Sequence, residues 1–196
     1  MMRFFDILFS LIGLIILSPF LIIISLLIKI TSKGPIFYKQ KRVGIFNIDF
    51  VIWKFRTMNF DADKSGLLTV GGKDPRITTV GYYLRMFKLD ELPQLFNVLS
   101  GSMSIVGPRP EVRKYVELYT LEQQKILSVK PGITDYASIE YANENQILGL
   151  ASDPDKVYTQ EIMPAKIQLN MRYIQNKSLK EYFKIILLTF YKITSK

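Results

Sequence analysis

The sequence predicts a mostly helical α+β fold that is attached to a membrane through its N-terminal segment. Three features predict this class: an apolar run from Phe4 to Ile28, a short segment with strand-like alternation, and apolar residues at helical spacing between 76 and 99. The chain has 196 residues, enough for one domain with its own core. We therefore expect a membrane helix over 1–30 and a catalytic or binding domain over 31–196.

Composition restricts the chemistry that such a domain can use. Lys and Arg number 26 against 17 Asp and Glu, and this formal charge of +9 favours anionic partners such as phosphate groups, anionic lipid or nucleic acid. The sequence contains neither cysteine nor histidine. Thiol nucleophiles, Ser–His pairs, disulfides and Cys/His zinc sites are therefore excluded, and a metal would need oxygen ligands, which Mg²⁺ prefers.

The apolar run from Phe4 to Ile28 is long enough to cross a hydrocarbon core. Ser18 and Pro19 lie near its middle, and because proline removes a helix hydrogen bond we expect a kink there. Composition alone favours a bent spanning helix, and the alternative is a re-entrant helix-break-helix that enters and leaves on one side. Cations crowd the segment that follows the run, so residues after 30 are predicted on the cytoplasmic face of the membrane.

Further elements are predicted from the spacing of apolar side chains. Trp53, Phe55 and Thr57 alternate with Lys54 and Arg56, which predicts a strand with both cations on one face. The C-terminal apolar side chains follow helical spacing, namely Leu179, Tyr182, Phe183, Ile186, Phe190 and Ile193. This pattern predicts a helix over 179–193, and contact with a membrane interface and packing on the protein's own core explain it equally well.

Residues 59–75 are polar and rich in glycine, so we expect a mobile loop there. The apolar stripe between 76 and 99 then predicts a return to helix, which Gly101 should end.

Two adjacent carboxylates are the main candidates for catalysis. Asp90 and Glu91 come just before Pro93, which is tolerated only in the first turn of a helix, so both acids are predicted at a helix N-terminus. Helix capping is sufficient to explain such a pair. The surrounding polar segments, however, contain many cations, which are Lys54, Arg56, Arg76, Arg85, Lys88, Arg109, Arg113 and Lys130.

This charge distribution suits a diphosphate substrate. Cations can neutralise the diphosphate while an aspartate attacks phosphorus, and a solvated basic surface is the competing interpretation. Arg109 lies between Pro108 and Pro110, which restrict the backbone and offer a guanidinium at a rigid point. Phosphate-binding candidates are Arg109, Lys54, Arg56, Arg85 and Arg76.

Six short motifs follow one another along the first two thirds of the chain. They are KRVG at 41–44, KFRTM at 54–58, DPRIT at 74–78, LDELPQLFNV at 89–98, MSIVGPRP at 103–110 and KPGIT at 130–134. Together they resemble the bacterial sugar transferase family, the monotopic phosphoglycosyl transferases that start capsule, O-antigen, exopolysaccharide and glycoprotein glycan assembly.

The resemblance implies a two-step reaction on a UDP-sugar. Asp90 would attack the β-phosphorus, release UMP and carry a phosphosugar on its carboxylate, and polyprenyl (undecaprenyl) phosphate would then accept that group. Glu91 would assist as an acid/base or metal-site residue. Mg²⁺ at Asp90 and Glu91 would neutralise the diphosphate, and Arg109 would hold a phosphate.

The resemblance also bears on the anchor and on the C-terminal part of the chain. It implies that the N-terminal helix turns back at Ser18 and Pro19, which reverses the preference from composition for a spanning helix. After Thr134 the sequence departs from the family's common pattern: Asp135 stands where many members have glycine, and Asn170 stands where many have aspartate. Sugar contacts are therefore not carried over to this region.

A non-catalytic membrane adaptor with a polybasic surface is the alternative function. It explains the anchor and the charge, but it gives no reason for an Asp-Glu pair beside a rigid Pro-Arg-Pro segment. Binding of nucleic acid is not expected, because the basic residues are interleaved with an apolar anchor and gather on no recognisable reading element.

Overall fold

The computed structural model describes residues 1–60, 62 and 74–195. Within this part of the chain a long N-terminal helix, α1 (Met2–Thr31), lies against a domain of short helices and two small sheets. The predicted mostly helical α+β class is therefore confirmed. Most of the loop predicted over 59–75, namely residues 61 and 63–73, lies outside the described residues.

The remaining elements follow α1 in chain order. The strands are β1 (Phe37–Val43), β2 (Asp49–Phe55), β3 (Ser104–Val106) and β4 (Gly132–Thr134). The helices are α2 (Thr79–Met86), α3 (Gln94–Ser100), α4 (Arg113–Val116), α5 (Tyr136–Glu140), α6 (Glu144–Leu150), α7 (Pro154–Val157), α8 (Met163–Gln175) and α9 (Leu179–Thr194). Short 3₁₀ turns cover Ile45–Asn47, Leu89–Glu91 and Gln123–Ser128, and a π-helical turn, Tyr158–Ile162, joins α7 to α8.

The first sheet is an antiparallel hairpin of β1 and β2, in register from Phe37 opposite Phe55 to Val43 opposite Asp49. The predicted strand around Trp53 is thus confirmed, but it ends at Phe55. Arg56 lies one residue beyond the strand, although its N–H still donates to the Ile36 carbonyl at 2.9 Å. That Lys54 and Arg56 share one face stays a prediction.

The second sheet pairs β3 and β4 in parallel, and two glycines permit the close approach of the loops beside it. A Cβ placed on Gly132 would lie 2.1 Å from the backbone nitrogen of Gly107, and one on Gly107 would lie 2.4 Å from the carbonyl oxygen of Lys130. No larger residue fits at either position without movement of the backbone. This contact positions the segment that follows β3, which contains Arg109.

The helical pattern predicted between 76 and 99 is divided into α2, a 3₁₀ turn and α3. Lys88 adopts a left-handed conformation with φ of 57°, and Pro93 has no N–H with which to continue a helix through Leu89. The two acids therefore lie on a separate turn just before α3, and Gly101 ends α3 as predicted, with φ of 91°.

The predicted C-terminal helix is confirmed as α9. Tyr182 and Ile185 are fully buried and pack with Val106 and Tyr173, so one face of α9 belongs to the core. Other apolar side chains of the helix are exposed, namely Leu187, Phe190, Tyr191 and Ile193. Their contact with a membrane stays a prediction.

Helix α1 is long and apolar enough to cross a membrane. Within an apolar stretch of 18 of its residues, 11% are buried against the domain. A single helix continues through Ser18 and Pro19, so the predicted break does not interrupt it. Pro19 leaves the carbonyl of Ile15 without its usual donor, and the Ser18 hydroxyl donates to that carbonyl at 2.8 Å. The hydroxyl thereby compensates for the missing N–H.

The N-terminal end of α1 is attached to the domain by polar contacts. The Asp6 carboxylate is buried and accepts hydrogen bonds from the Ser104 hydroxyl, the Ile105 N–H and the Tyr182 hydroxyl, each at 2.9 Å. Arg3 donates to the carbonyl oxygens at the end of α3, at 2.5 and 2.8 Å. These contacts tie the start of α1 to β3, α3 and α9.

The C-terminal part of α1 is attached by apolar contacts. Ile24 and Ile28 are almost completely buried and pack with Phe55 of β2 and Leu84 of α2. Both ends of the apolar helix therefore contact the same domain, although 30 residues of α-helix extend over about 45 Å.

Replacement of Asp6 by alanine should destabilise the protein strongly. The change would leave three donors, on Ser104, Ile105 and Tyr182, without their acceptor in a buried environment. We expect a loss of about 3 kcal/mol in the free energy of unfolding, measured by chemical denaturation in detergent. Ile30→Ala, at a position of the same helix that is 80% exposed, is the control and should change stability little. A variant Asp6→Ala as stable as the wild type would contradict this account of the attachment.

Candidate active site

The two acids are positioned by the junction between β2 and α3. Buried Asn97 of α3 accepts a hydrogen bond from the Trp53 N–H at 3.0 Å and donates to the Val51 carbonyl at 2.7 Å. Because this amide fixes α3 against β2, the turn that precedes α3 lies beside the end of the strand. Lys54 is thereby brought next to Glu91.

Glu91 accepts hydrogen bonds from two cations that come from different parts of the chain. Lys54 Nζ lies 2.8 Å from Oε1, and the Arg109 guanidinium binds the same carboxylate through both terminal nitrogens, with Nη1 at 2.9 Å from Oε2. Burial alone would raise the pKa of Glu91, but Arg109 and Lys54 outweigh it and hold the pKa well below its usual range. Glu91 is therefore ionised, and each of its two oxygens is bonded to a cation.

Asp90 has a different environment although it is the adjacent residue. It is 8% exposed, and among the described residues its carboxylate has neither a hydrogen-bond donor nor an ion-pair partner. Burial, followed by the charge of Glu91, raises the pKa of Asp90, while Lys54, Arg85 and Lys88 oppose the increase. When it is ionised, this carboxylate has lone pairs free for attack on an electrophile.

Arg109 is fixed through its main chain as well as its side chain. Its N–H donates to Oδ2 of Asp135 at 2.8 Å, and the side-chain amide of Asn170 donates to the same oxygen at 2.7 Å. Asp135 is completely buried. Two of the positions at which the sequence departs from the family's common pattern are thus hydrogen-bonded to each other, and one of them, Asp135, also accepts the Arg109 N–H.

The other predicted phosphate-binding residues, Arg85, Arg56 and Arg76, bind residues other than the two acids. Arg85 donates to the Thr57 hydroxyl at 2.9 Å and acts on Asp90 through its charge. Arg56 is buried and donates to the carbonyl oxygens of Ser32 and Lys33, at the end of α1. Arg76 forms an ion pair with Asp74 at 2.6 Å. Phosphate binding by these residues, and by Lys54 and Arg109, stays a prediction.

Sequence reasoning missed several residues that support the site. Arg42 binds Gln40 and Glu111, and Glu111 in turn accepts from the Tyr158 hydroxyl. Arg42 belongs to the KRVG motif, which was the available signal for it. Asp135 gave no such signal, because its role depends on a fold that brings it to the backbone of Arg109.

The site lies in one cleft with a volume of about 1360 Å³, which Arg42, Glu111 and Tyr158 also line. Its polar wall contains Lys54, Arg85, Asp90, Glu91 and Arg109. Its apolar lining includes side chains from α1 and α9, namely Phe9, Ile12, Ile186, Phe190 and Ile193. The cleft thus combines a cationic region around two carboxylates with an apolar region beside α1.

Within the described ranges no three acidic side chains are grouped so as to hold a metal ion. Asp90 and Glu91 are adjacent, and Mg²⁺ commonly takes one or two carboxylates and completes its octahedral shell with water and substrate phosphates. The donor set therefore fits an ion that binds together with a diphosphate.

The sequence model of the family described as bacterial sugar transferase matches residues 1–196. The chain is 40% identical over 193 residues to UDP-glucose:undecaprenyl-phosphate glucose-1-phosphate transferase of Klebsiella pneumoniae. The matched stretch covers 97% of this chain and 39% of that protein.

Two further relatives differ in how much of their length is matched. The UDP-N-acetylgalactosamine-undecaprenyl-phosphate N-acetylgalactosaminephosphotransferase of Aeromonas hydrophila is 38% identical over 180 residues, 90% of this chain and 40% of that protein. The exopolysaccharide production protein PSS of Rhizobium leguminosarum bv. phaseoli is 38% identical over 192 residues, 94% of this chain and 90% of that protein. The chain thus spans about two fifths of the Klebsiella and Aeromonas proteins and nearly all of the Rhizobium protein.

Removal of the Arg85 charge should raise the pKa of Asp90. Arg85 lowers this pKa, so Arg85→Gln shifts protonation of Asp90 to higher pH. Carbodiimide modifies protonated carboxyl groups, and its rate at the Asp90 peptide, followed by mass spectrometry across pH, reports the midpoint. We expect an upward shift in Arg85→Gln. Arg113→Gln should leave the midpoint in place, because Arg113 binds Asn47 and Asp49 at the hairpin. An unchanged midpoint in Arg85→Gln would refute this electrostatic account.

Proposed function

The chain belongs to the bacterial sugar transferase family, and on that premise we propose that it transfers a sugar 1-phosphate from a UDP-sugar to a polyprenyl phosphate. The observation that carries this proposal is the contrast between the two acids of the site. Glu91 is held by Lys54 and Arg109, whereas the neighbouring Asp90 lies among cations and has no hydrogen-bond donor in the described part of the chain. A free carboxylate beside fixed cations suits nucleophilic attack on a diphosphate.

In the first step an oxygen of Asp90 forms a bond to the β-phosphorus of the UDP-sugar. The bond between that phosphorus and the bridging oxygen breaks, and the oxygen leaves with the electron pair as part of UMP. The phosphosugar then remains on the Asp90 carboxylate. Lys54, Arg85 and Arg109 supply positive charge where negative charge develops on the phosphoryl oxygens.

In the second step an oxygen of polyprenyl phosphate attacks the phosphorus of the aspartyl phosphosugar. The bond to Asp90 breaks with its electrons returning to the carboxylate, and the product is a polyprenyl diphosphosugar. This first membrane step of glycan assembly leaves Asp90 ready for another cycle.

Glu91 is proposed to orient the site and to contribute to a metal site. Its pKa is held well below the usual range, so the ionised form predominates and a role as general acid is disfavoured. Mg²⁺, when bound, would neutralise the diphosphate, and Asp90 and Glu91 are the residues that would hold it. Glu91 keeps Lys54 and Arg109 in place whether or not an ion is bound.

The composition of the cleft supports a lipid-linked acceptor. A polyprenyl phosphate has an anionic head and a long apolar chain, and the cleft has cations beside Asp90 and apolar side chains from α1 and α9. The names of the Klebsiella and Aeromonas relatives include undecaprenyl phosphate, which is a molecule of this kind.

We propose that α1 enters and leaves the membrane on its cytoplasmic face, at the bacterial inner membrane. Asp6 near one end of α1 and Ile28 near the other both pack on the same domain. A helix that spanned the membrane would carry its ends to opposite faces, which one domain on a single face cannot contact. The exposed apolar side chains between these attachments include Leu11, Ile15, Ile16, Ile22 and Ile23.

A polybasic membrane adaptor explains the site less well. Lys54 and Glu91 are largely buried and bound to each other, and desolvation lowers the pKa of Lys54. Buried and paired charges of this kind contribute little to binding a flat anionic surface. Groups with shifted pKa values in a cleft are instead typical of catalytic sites.

Asp90→Asn should abolish release of UMP from UDP-sugar. The amide cannot act as the nucleophile, so we expect turnover to fall at least about a thousandfold, measured with a luminescent UMP assay on detergent-solubilised protein. Asp49→Asn, at an exposed carboxylate of the hairpin, is the matched control and should keep normal turnover. A phosphosugar adduct trapped in the wild type should map to the peptide that contains Asp90. Full turnover by Asp90→Asn would remove the nucleophile from the proposal.

The topology of α1 can be tested with single cysteines, because the chain has none of its own. Phe4→Cys and Leu121→Cys replace exposed side chains, near the start of α1 and in the domain respectively. We expect a membrane-impermeant maleimide to label neither variant in intact spheroplasts and both after permeabilisation. Labelling of Phe4→Cys alone from outside would show that α1 spans the membrane.

A further inference from the structure

Two buried side-chain oxygens on the cleft wall are left without a hydrogen-bond partner among the described residues. They are Ser138 Oγ and Asn170 Oδ1, and both residues line the cleft. A buried polar group without a partner costs free energy, so such groups in native proteins are normally satisfied by protein, water or a ligand. Arg56 Nε shares this state, but the Arg56 guanidinium is already bound at the end of α1.

The two oxygens are held in place by one carboxylate. The Ser138 N–H donates to Oδ1 of Asp135, and the Asn170 side-chain N–H donates to Oδ2. The reverse orientation of the Asn170 amide would place its carbonyl oxygen against the carboxylate, so the observed orientation is the favourable one. Oδ1 of Asn170 is consequently directed away from Asp135 and available as an acceptor.

The same carboxylate connects this wall to the two acids of the active site. Asp135 accepts the Arg109 main-chain N–H, and the Arg109 side chain binds Glu91. One residue therefore bridges the unpartnered oxygens and the site of phosphoryl transfer. In a UDP-sugar the sugar ring is bonded directly to the β-phosphate, so the ring must lie next to the group that Asp90 attacks.

Charge distinguishes this wall from the phosphate-binding region. The cations Lys54, Arg85 and Arg109 surround the two acids, whereas the nearby Lys166 is paired with Glu144 at 2.7 Å. An amide oxygen accepts hydrogen bonds, a hydroxyl both donates and accepts them, and neither group carries a charge. The wall thus suits a neutral polyhydroxy ligand better than a phosphate.

We propose that Ser138 Oγ and Asn170 Oδ1 form the subsite for the sugar ring of the UDP-sugar, where Asn170 accepts a hydrogen bond from a ring hydroxyl or acetamido N–H. This inference rests on the proposed function and deepens it. Because a site built to bond a hydroxyl rejects an analogue that lacks it, these two residues contribute to the choice of sugar.

Ser138→Ala is the sharpest test, because it removes the unpartnered hydroxyl and keeps the main-chain N–H that donates to Asp135. We expect kcat/KM for the UDP-sugar to fall about tenfold, which corresponds to the loss of one neutral hydrogen bond. UDP-glucose and UDP-N-acetylgalactosamine are the probes, and the better donor of the two is used. Inhibition by UMP should be unchanged, because UMP has no sugar at the β-phosphate, and the unfolding temperature should not fall.

Ser152→Ala is the matched control, since Ser152 is exposed and does not line the cleft. Deoxy analogues of the donor sugar then identify the contact. The analogue that lacks the bonded hydroxyl should lose about tenfold with the wild type and little with Ser138→Ala, the non-additivity expected when both changes remove one hydrogen bond.

The outcomes separate the subsite from the general reaction. Normal kcat/KM in Ser138→Ala, with an active wild type, would overturn the subsite and leave the transferase reaction intact. Equal loss of UDP-sugar turnover and UMP binding would also overturn it, because the effect would then not belong to the sugar. Absence of UMP release by the wild type from every UDP-sugar would overturn both proposals.

Discussion

The site depends on the ion pairs of the Glu91 carboxylate, because they join three separate segments of the chain. Lys54 reaches it from β2, Arg109 reaches it from the segment after β3, and Glu91 itself lies on the turn before α3. Removal of one partner of such a largely buried pair leaves an uncompensated charge, so the three groups are interdependent. The geometry of the cleft follows from this shared carboxylate.

The same contact explains how two neighbouring acids acquire different chemistry. Among the described residues Lys54 and Arg109 donate hydrogen bonds to Glu91 and none to Asp90, so they act on Asp90 through their charge. Burial and the negative charge of Glu91 act in the opposite direction on Asp90. The adjacent carboxylates thus have pKa values displaced in opposite directions, an arrangement that assigns distinct roles to two groups of the same type.

The sequence was sufficient to predict the elements whose pattern is local. Helix α1, the hairpin strand at Trp53, α9 and the position of Asp90 and Glu91 before a helix follow from apolar spacing and from Pro93. It was not sufficient to tell which arginines face the acids. Arg56 follows β2 directly, but the strand ends before it and its guanidinium turns to the carbonyls at the end of α1.

The contacts that sequence reasoning missed share one physical cause: they join residues far apart in the chain. Asp135 and Asn170 are 35 positions apart, and Asp6 and Tyr182 are 176 apart. No periodicity or turn signal reports such a contact, because both partners only become neighbours once the domain has folded. The departure from the family pattern at 135 and 170 marked the positions without revealing that they pair with each other.

The distance between α1 and the two acids is set by one short helix. This helix, α3, begins three residues after Glu91, and its first turn contacts α1, where a Cβ on Gly13 would lie 3.3 Å from Leu95. The end of α3 is held by Arg3, through the carbonyls of Val98 and Leu99. Since α3 is rigid over its seven residues, the acids are kept at a constant distance from α1. In the proposed re-entrant arrangement this fixes the depth of Asp90 relative to the membrane surface, where the phosphate of a polyprenyl acceptor is located.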